Sequence, residues 1–368
     1  MSTPSSARAV APDLARGAML LLIALANVHL FLLGPAGVRG YPAGLAGMDA
    51  VVAFLQMVLV DGRAYPLFAL LVGYGAAQSA RRWEPAVAVS LLRRRGGWML
   101  AIGAVHGLLL FPGDIVGAYG LLLVALAGVV VRGTAVTLGT IAVLGCVFTV
   151  LTSAFSGFST GAAALPSIAA PDVGSALVQH VGEWSLGTVN SALVTAGMVA
   201  LGALLGRRRL LEEPDGHRRV LRRVALLGLA VAVAGGVPLA LAAAGWWAPT
   251  GAQALLAGVL HGLGGLAGGL GYAAVFALVA TRWAPRPLLA AGRRSLSCYL
   301  GQSVVWMVLL PAWTLGFGAR LSVAQAALLA VGVWGAGLVG CAALDRGDRR
   351  GPAEILLRRL TYGPAPIR

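Results

Sequence analysis

Charge is what this sequence has least of. Only 11% of its 368 residues are Asp, Glu, Lys or Arg, against roughly 25% in an ordinary soluble domain. With 58% hydrophobic residues and a mean hydropathy of +0.85, a soluble fold is excluded, because no such fold hides that much apolar surface. The expected class is an all-α integral membrane protein, a polytopic helical bundle embedded in a lipid bilayer. Lysine is absent: all 28 basic residues are arginines. That usage, with heavy Ala, Gly and Val, fits a GC-rich bacterial genome, so the expected location is a bacterial cell membrane, crossed many times. Cysteine is scarce too. Cys146, Cys298 and Cys341 are isolated, with no CxxC and no Cys/His ligand spacing. Neither a disulfide framework nor a zinc site follows, and no metal or tightly bound cofactor is expected.

The net charge of +15 does not point to nucleic acid. The arginines come in short clusters between apolar runs, as on the cytoplasmic flanks of spanning helices, and not on one soluble face. About ten apolar runs are long enough to be read as spans: near 17–34, 64–80, 96–111, 114–131, 134–153, 186–206, 224–245, 253–280, 294–313 and 322–342. The first follows Arg8 and Arg16 without a clear cleavage site and reads as a retained helix. Residues 47–61 are apolar but short, and carry Asp49, Gln56 and Asp61, which suits a half-helix. Cytoplasmic arginine clusters at the N-terminus, 81–95, Arg132, 207–223, 282–294 and the tail (through Arg368) leave room for two crossings between each pair. Ten helices result, with both termini cytoplasmic. The expected organisation is an N-terminal membrane half (1–206, about six spans), a basic cytoplasmic loop (207–223) and a C-terminal half (224–368, about four spans) ending in a basic tail. Residues 154–185 read as the one long outer loop.

A few polar groups interrupt the hydrocarbon. In "AIGAVHGLLLFPGDIVGAYG", His106 and Asp114 flank the break at Pro112-Gly113 and lie on the same membrane side. Asp114 reads as a helix N-cap or as the partner of His106; His106 reads as a neutral histidine bonded to a backbone carbonyl or as a pocket residue, since ionisable groups in spans usually face a cavity or a partner. His29 lies at the outer end of the first run, two residues after Asn27, so at most one of the two faces a shared pocket well. Arg63, in "DGRAYPLFALLVGYG", reads as an anion-binding group or a snorkelling interfacial arginine. "HGLGGLAGGLGY" contains Gly-x-Gly-x-x-Ala after His261, but no strand precedes it and no acidic residue follows at the required distance. Its small-xxx-small spacing reads as close helix packing. His180 and Glu183, beside Trp184, read as outer-loop residues or as the lining of an entrance, and His217 as a solvated one.

Several stretches together resemble the YeiB-like membrane proteins. Asp13, Arg16, Gly17 and Asn27 match that family's opening, with Pro12 where leucine is usual. "YPLFALLVGYG" is similar to a second motif. Gly103, His106, Gly113, Asp114, Ile115 and Tyr119 match a third. The C-terminal third resembles the family's domain of unknown function 418. Gly292, Arg293, Leu296, Tyr299, Leu300, Gln302 and Ser303 carry one motif, with Cys298 where asparagine is common; Gly351, Pro352, Glu354, Arg358, Leu360, Thr361 and Tyr362 carry another. These proteins look related to transmembrane acyltransferases that pass an acyl group from a cytoplasmic donor to an acceptor across the bilayer, using a histidine. In the lysosomal relative that histidine lies in the outer loop after the first shared helix; the corresponding loop here, about 35–48, has none.

The resemblance implies a membrane-embedded acyltransferase using a thioester donor such as acyl-CoA as co-substrate, with a sugar, lipid or small-molecule acceptor. His106 is then the general base near neutral pH, oriented by Asp114. Arg16 and Arg293 are placed near the inner face to meet a donor phosphate. Asn27, His29, Arg63, Tyr119, Tyr299, Gln302 and Ser303 are the remaining candidate binding residues. A transporter of a small amphiphile is the alternative, and a non-catalytic scaffold a second one. The oligomeric state is not fixed by the sequence.

Overall fold

The computed structural model describes residues 10–159, 161 and 164–363. Arg8 and Arg368, both assigned to the cytoplasmic clusters, lie outside the described residues. Among those residues the architecture is helical, with only two isolated β-bridges, Ala36 to Pro42 and Val38 to Ser159.

The chain opens with α1 (Val10–Val28), continued by a 3₁₀ turn at His29–Phe31. An extended loop leads to α2 (Gly47–Leu59) and α3 (Ala64–Ala80). These two form one apolar segment of 34 residues, broken at Gly62, where φ is +74°. A left-handed backbone is what glycine tolerates and other residues resist, so the apolar stretch expected at 47–61 forms a short helix, Gly47–Leu59, separate from α3. Next come α4 (Pro85–Leu109), α5 (Val116–Arg132) and α6 (Ala135–Ser153), then α7 (Val173–Arg207) and α8 (Arg218–Ala243). The C-terminal part holds α9 (Gly251–Ala280), the short α10 (Arg286–Arg293), α11 (Ser295–Leu309), α12 (Val323–Arg346) and α13 (Pro352–Tyr362).

Seven of these segments are long and apolar enough to cross a membrane, and α5 and α11 are apolar but shorter. The α6 and α12 segments bury only 17% and 11% of their apolar windows. Val143, Leu144, Leu226, Leu328 and Val339 stand out from the bundle. Such a hydrocarbon surface suits lipid and not water.

The expected outer loop is shorter than its composition implied. Asp172 accepts hydrogen bonds from the Ser175 amide (2.9 Å) and hydroxyl (2.8 Å), and this N-cap starts α7 at Val173. His180, Glu183 and Trp184 are therefore helical and not loop residues. Likewise α4 starts at Pro85, so Arg93, Arg94 and Arg95 lie on a helix, and α8 starts at Arg218 inside the expected basic loop.

Contacts between arginine-bearing segments gather those segments at one end of the bundle. Arg207 donates to the carbonyls of Gly133 (2.8 Å), Val130 (2.9 Å) and Val129 (3.2 Å), capping the C-terminus of α5. Arg81 donates to Glu212 at 2.6 Å and to the Gly206 carbonyl. Arg94 reaches Leu360 of α13 at 2.8 Å. The turn at Arg132, where only one arginine marked the side, thus lies at the same end as the 207–209 cluster.

Two apolar clusters fill the interior. The larger holds Met19, Leu70, Tyr74, Leu123 and Val199 toward the arginine-bearing end. The smaller holds Phe31, Tyr41, Met57, Phe111 and Trp306 toward the other.

Candidate functional site

His106 occupies the last turn of α4, and Asp114 lies just before α5. The Pro112-Gly113 turn folds α5 back along α4, and the two helices cross on glycines. A Cβ at Gly103 would collide with the Gly117 backbone and the Asp114 carboxylate, and one at Gly107 with the Trp184 indole. Bare glycine backbone therefore lets α4, α5 and α7 close around the pair.

His106 Nδ1 lies 2.8 Å from Asp114 Oδ1, with side-chain exposures of 1% and 0%. The carboxylate also accepts from the amides of Gly117 (2.6 Å) and Val116 (3.2 Å). Both readings of Asp114 therefore hold at once: it caps α5 and it binds His106. With Asp114 as acceptor, Nδ1 is the nitrogen that carries a proton, and in the neutral imidazole Nε2 is then the basic one. That Nε2 is buried without a hydrogen-bond partner.

Tyr299 of α11 completes this wall. Its ring centroid is 5.0 Å from that of His106; the Ile115 amide lies beside its buried hydroxyl, whose own proton has no acceptor among the described residues. Gln302, one turn on, donates to the Leu20 carbonyl at 3.3 Å and keeps an unpartnered Oε1. Ser303 bonds back to the Tyr299 carbonyl at 3.4 Å. Tyr119 is buried on α5, but its hydroxyl donates to the Tyr65 carbonyl at 3.2 Å. Phe111 stands edge-on to the His106 ring at 6.4 Å and stacks on Phe31 at 5.3 Å.

His29 and Arg63 belong to a second buried cluster, away from His106. The His29 ring stacks on Tyr41 at 4.0 Å and 4°, and its Nε2 faces the Arg39 carbonyl at 3.2 Å. Asn27 is half-buried near the end of α1. The Tyr41 hydroxyl is shared between Asp61 (2.8 Å) and Gln56 (2.9 Å). Burial, with the Asp61 carboxylate beside it, holds this phenol well above its ordinary range, so it stays a neutral donor.

Arg63, at the α2–α3 break, is fully buried. Its guanidinium donates to the carbonyls of Met57 (3.0 Å), Asp61 and Ala232 (2.7 Å) and to His261 Nδ1 at 3.1 Å. A broken helix leaves carbonyls open, and the arginine fork closes them. The α9 glycines expected to pack closely do so here: a Cβ at Gly265 would meet the Gly62 backbone, and one at Gly268 the Arg63 side chain.

At the arginine-bearing end, Arg293 grips both oxygens of Asp345 at 2.7 Å. Arg16 lies 3.5 Å from Asp13. Neither approaches His106. Among the described residues no three His, Cys, Asp or Glu side chains converge where a metal ion could sit.

Three neighbours of these clusters were not among the expected site residues. Tyr41 stacks from a loop without motif. His180 is buried, with Nδ1 2.9 Å from the Leu108 carbonyl at the end of α4. Trp184 packs over Gly107. For His180 and Trp184 the available signal was the Asp172-x-x-Ser175 cap, which predicts helix through both.

Residues 205–364 match the family model described as protein of unknown function (DUF418). That stretch holds Arg293, Tyr299, Gln302 and Ser303 but not His106 or Asp114. No curated protein matches the chain.

Proposed function

We propose that the chain is a membrane-embedded acyltransferase of YeiB-like type, with ten spans, counting α4, α5 and α11, in a bacterial cell membrane. Both termini and the arginine-bearing end then face the cytoplasm, by the excess of arginine there. The observation that carries the reading is the buried His106–Asp114 pair, whose Nε2 has no partner within the protein. A histidine oriented by a carboxylate and open at its second nitrogen is the arrangement of a general base.

The acceptor's hydroxyl or amine attacks the thioester carbonyl, and its proton passes to His106 Nε2. The carbon–sulfur bond breaks, and the departing thiolate takes that proton as a thiol. Asp114 stabilises the transient imidazolium. The free Tyr299 hydroxyl is the donor for the oxygen that gains charge. A donor such as acyl-CoA approaches from the arginine-bearing side. The acceptor is a sugar, lipid or small molecule.

The test is turnover by purified protein in lipid nanodiscs, with acetyl-CoA and extracted membrane lipids or sugars as probes. Release of free thiol matched by a new acylated product is expected. Absence of any acyl transfer across donors of differing chain length, from protein shown to be folded, would sink the assignment.

A transporter is the second reading, and the α2–α3 break supports it. Discontinuous helices with buried polar groups build the sites of many secondary transporters, and His261 Nε2 there is also unpartnered. Solute uptake into proteoliposomes, undiminished when His106 is replaced, would favour this reading.

A further inference from the structure

α11 and α12 follow one another in the chain but diverge, leaving a groove of about 560 Å³. That size lies within the roughly 300–1,000 Å³ usual for small-ligand sites. Its walls are mostly apolar, with Leu20, Val305, Val333, Trp334, Leu338 and Leu344, and Ser297, Cys298 and Cys341 also line it. Gly301, Gly337 and Gly340 also line it, and a Cβ at any of the three would meet no atom within 4 Å. These glycines therefore differ from Gly103 and Gly107. They serve no close helix approach, and their missing side chains keep the groove open.

Gln302 supplies an independent indication of a ligand. It is 5% exposed and lines the groove, and its Oε1 has no partner. A buried acceptor is nearly always matched by a donor, and here the described residues provide none. Arg294 stands at one end, four of its five N–H donors taken by Asp345, Ala290 and Arg349. From Arg294 to Val305 the wall spans eleven residue steps, about 16 Å at helical rise. That is about half of a hydrocarbon core about 30 Å thick, the depth of one leaflet.

We propose that the groove binds the alkyl chain of a single-chain amphiphile taken sideways from one leaflet, whose hydroxyl or amide N–H donates to Gln302 Oε1. Depth and wall chemistry select one lipid chain, and the orphaned oxygen selects a hydrogen-bond donor at its polar end. Tyr299 stands three residues before Gln302 on α11 but does not line the groove, and neither does His106, so the binding does not rest on the acyltransferase reading.

The test is photolabelling in nanodiscs with diazirine-bearing hexadecanol, the matching hexadecanamide and the hexadecyl methyl ether, which has no donor. Alcohol or amide label is expected on α11 and α12 peptides, displaced by unlabelled alcohol; the stronger of the two distinguishes hydroxyl from amide. Gly301→Leu with Gly337→Leu should cut this label at least tenfold. Gly335→Leu, equally uncrowded but off the groove, should leave it unchanged. Gln302→Leu should reduce an approximately five- to tenfold preference for alcohol over ether to near one. Label spread evenly over lipid-facing helices, or unchanged in the double glycine variant, overturns the groove. An acetyl-CoA assay on the same samples separates the two readings: specific label without transfer removes only the acyltransferase, and transfer without specific label removes only the groove.

Discussion

His106 Nδ1 and Asp114 Oδ1 are held 2.8 Å apart across a helical turn, closed to solvent, while the opposite imidazole nitrogen meets no protein atom that could bond to it. His180 and His261 leave the same nitrogen without a partner, but their Nδ1 atoms face a carbonyl and a guanidinium; His106 differs in having a carboxylate there.

His106→Gln removes the base and keeps a side chain of similar reach. Acyl transfer should fall about 10²- to 10⁴-fold, with the unfolding midpoint nearly unchanged. Activity within a few-fold of wild type would show that the pair does no proton transfer.

Tyr299→Phe deletes a buried hydroxyl whose proton has no acceptor among the described residues. Its removal should shift stability by less than about 1 kcal/mol, while acyl transfer drops about 10²- to 10³-fold if the hydroxyl steadies the oxyanion. Thermal unfolding and kcat measured together separate the two roles. Equal activity would leave Tyr299 as a packing residue only.

Arg63→Leu strips donors from three carbonyls and from His261. The expected cost is about 3–5 kcal/mol, seen as a lowered midpoint in detergent unfolding. Arg63→Lys should restore only part, because one ammonium cannot reach α2 and α8 with the geometry of a planar fork. A fully stable Arg63→Leu variant would contradict a capping role.

The start of α7 should respond to acid. Hydrogen bonds from Ser175 hold the Asp172 carboxyl below its ordinary value of 3.8. Its folded pKa is the lower one, so the cap's contribution is present above about pH 3.8 and is lost as pH falls through the folded value. Amide exchange at 173–176 should therefore show no change in protection between pH 6 and 8 and faster opening below about pH 3.8. Asp172→Asn should abolish that acid step.

The hairpin carrying His106 and Asp114 was legible because its signals are local: two ionisable groups in hydrocarbon, separated by Pro112-Gly113. Tyr299 was reachable only through family likeness, since no local pattern ties a tyrosine on α11 to a histidine on α4. His29 is buried and Asn27 only half-buried. Arg63 was legible as a buried or interfacial cation but not as a cap, because its partner Ala232 lies 169 residues away. The composition of 154–185 hid a helix whose N-cap was nevertheless written at Asp172. The groove was invisible, because glycine reads the same whether it lets helices touch or holds them open.

The capping of the α2–α3 break also bears on how the chain is made. Arg63 lies midway along a 34-residue apolar segment, but the carbonyl and imidazole it binds on α8 and α9 are 169 and 198 residues further on. At about 5–20 residues per second, the ribosome delivers them roughly 10–40 s later. Until then the newly inserted N-terminal half carries an arginine in the membrane without those partners, a placement that costs about 2.5–3.5 kcal/mol or more. The first half of the bundle cannot settle until α9 emerges, and a truncation before it should be a substrate for membrane proteolysis.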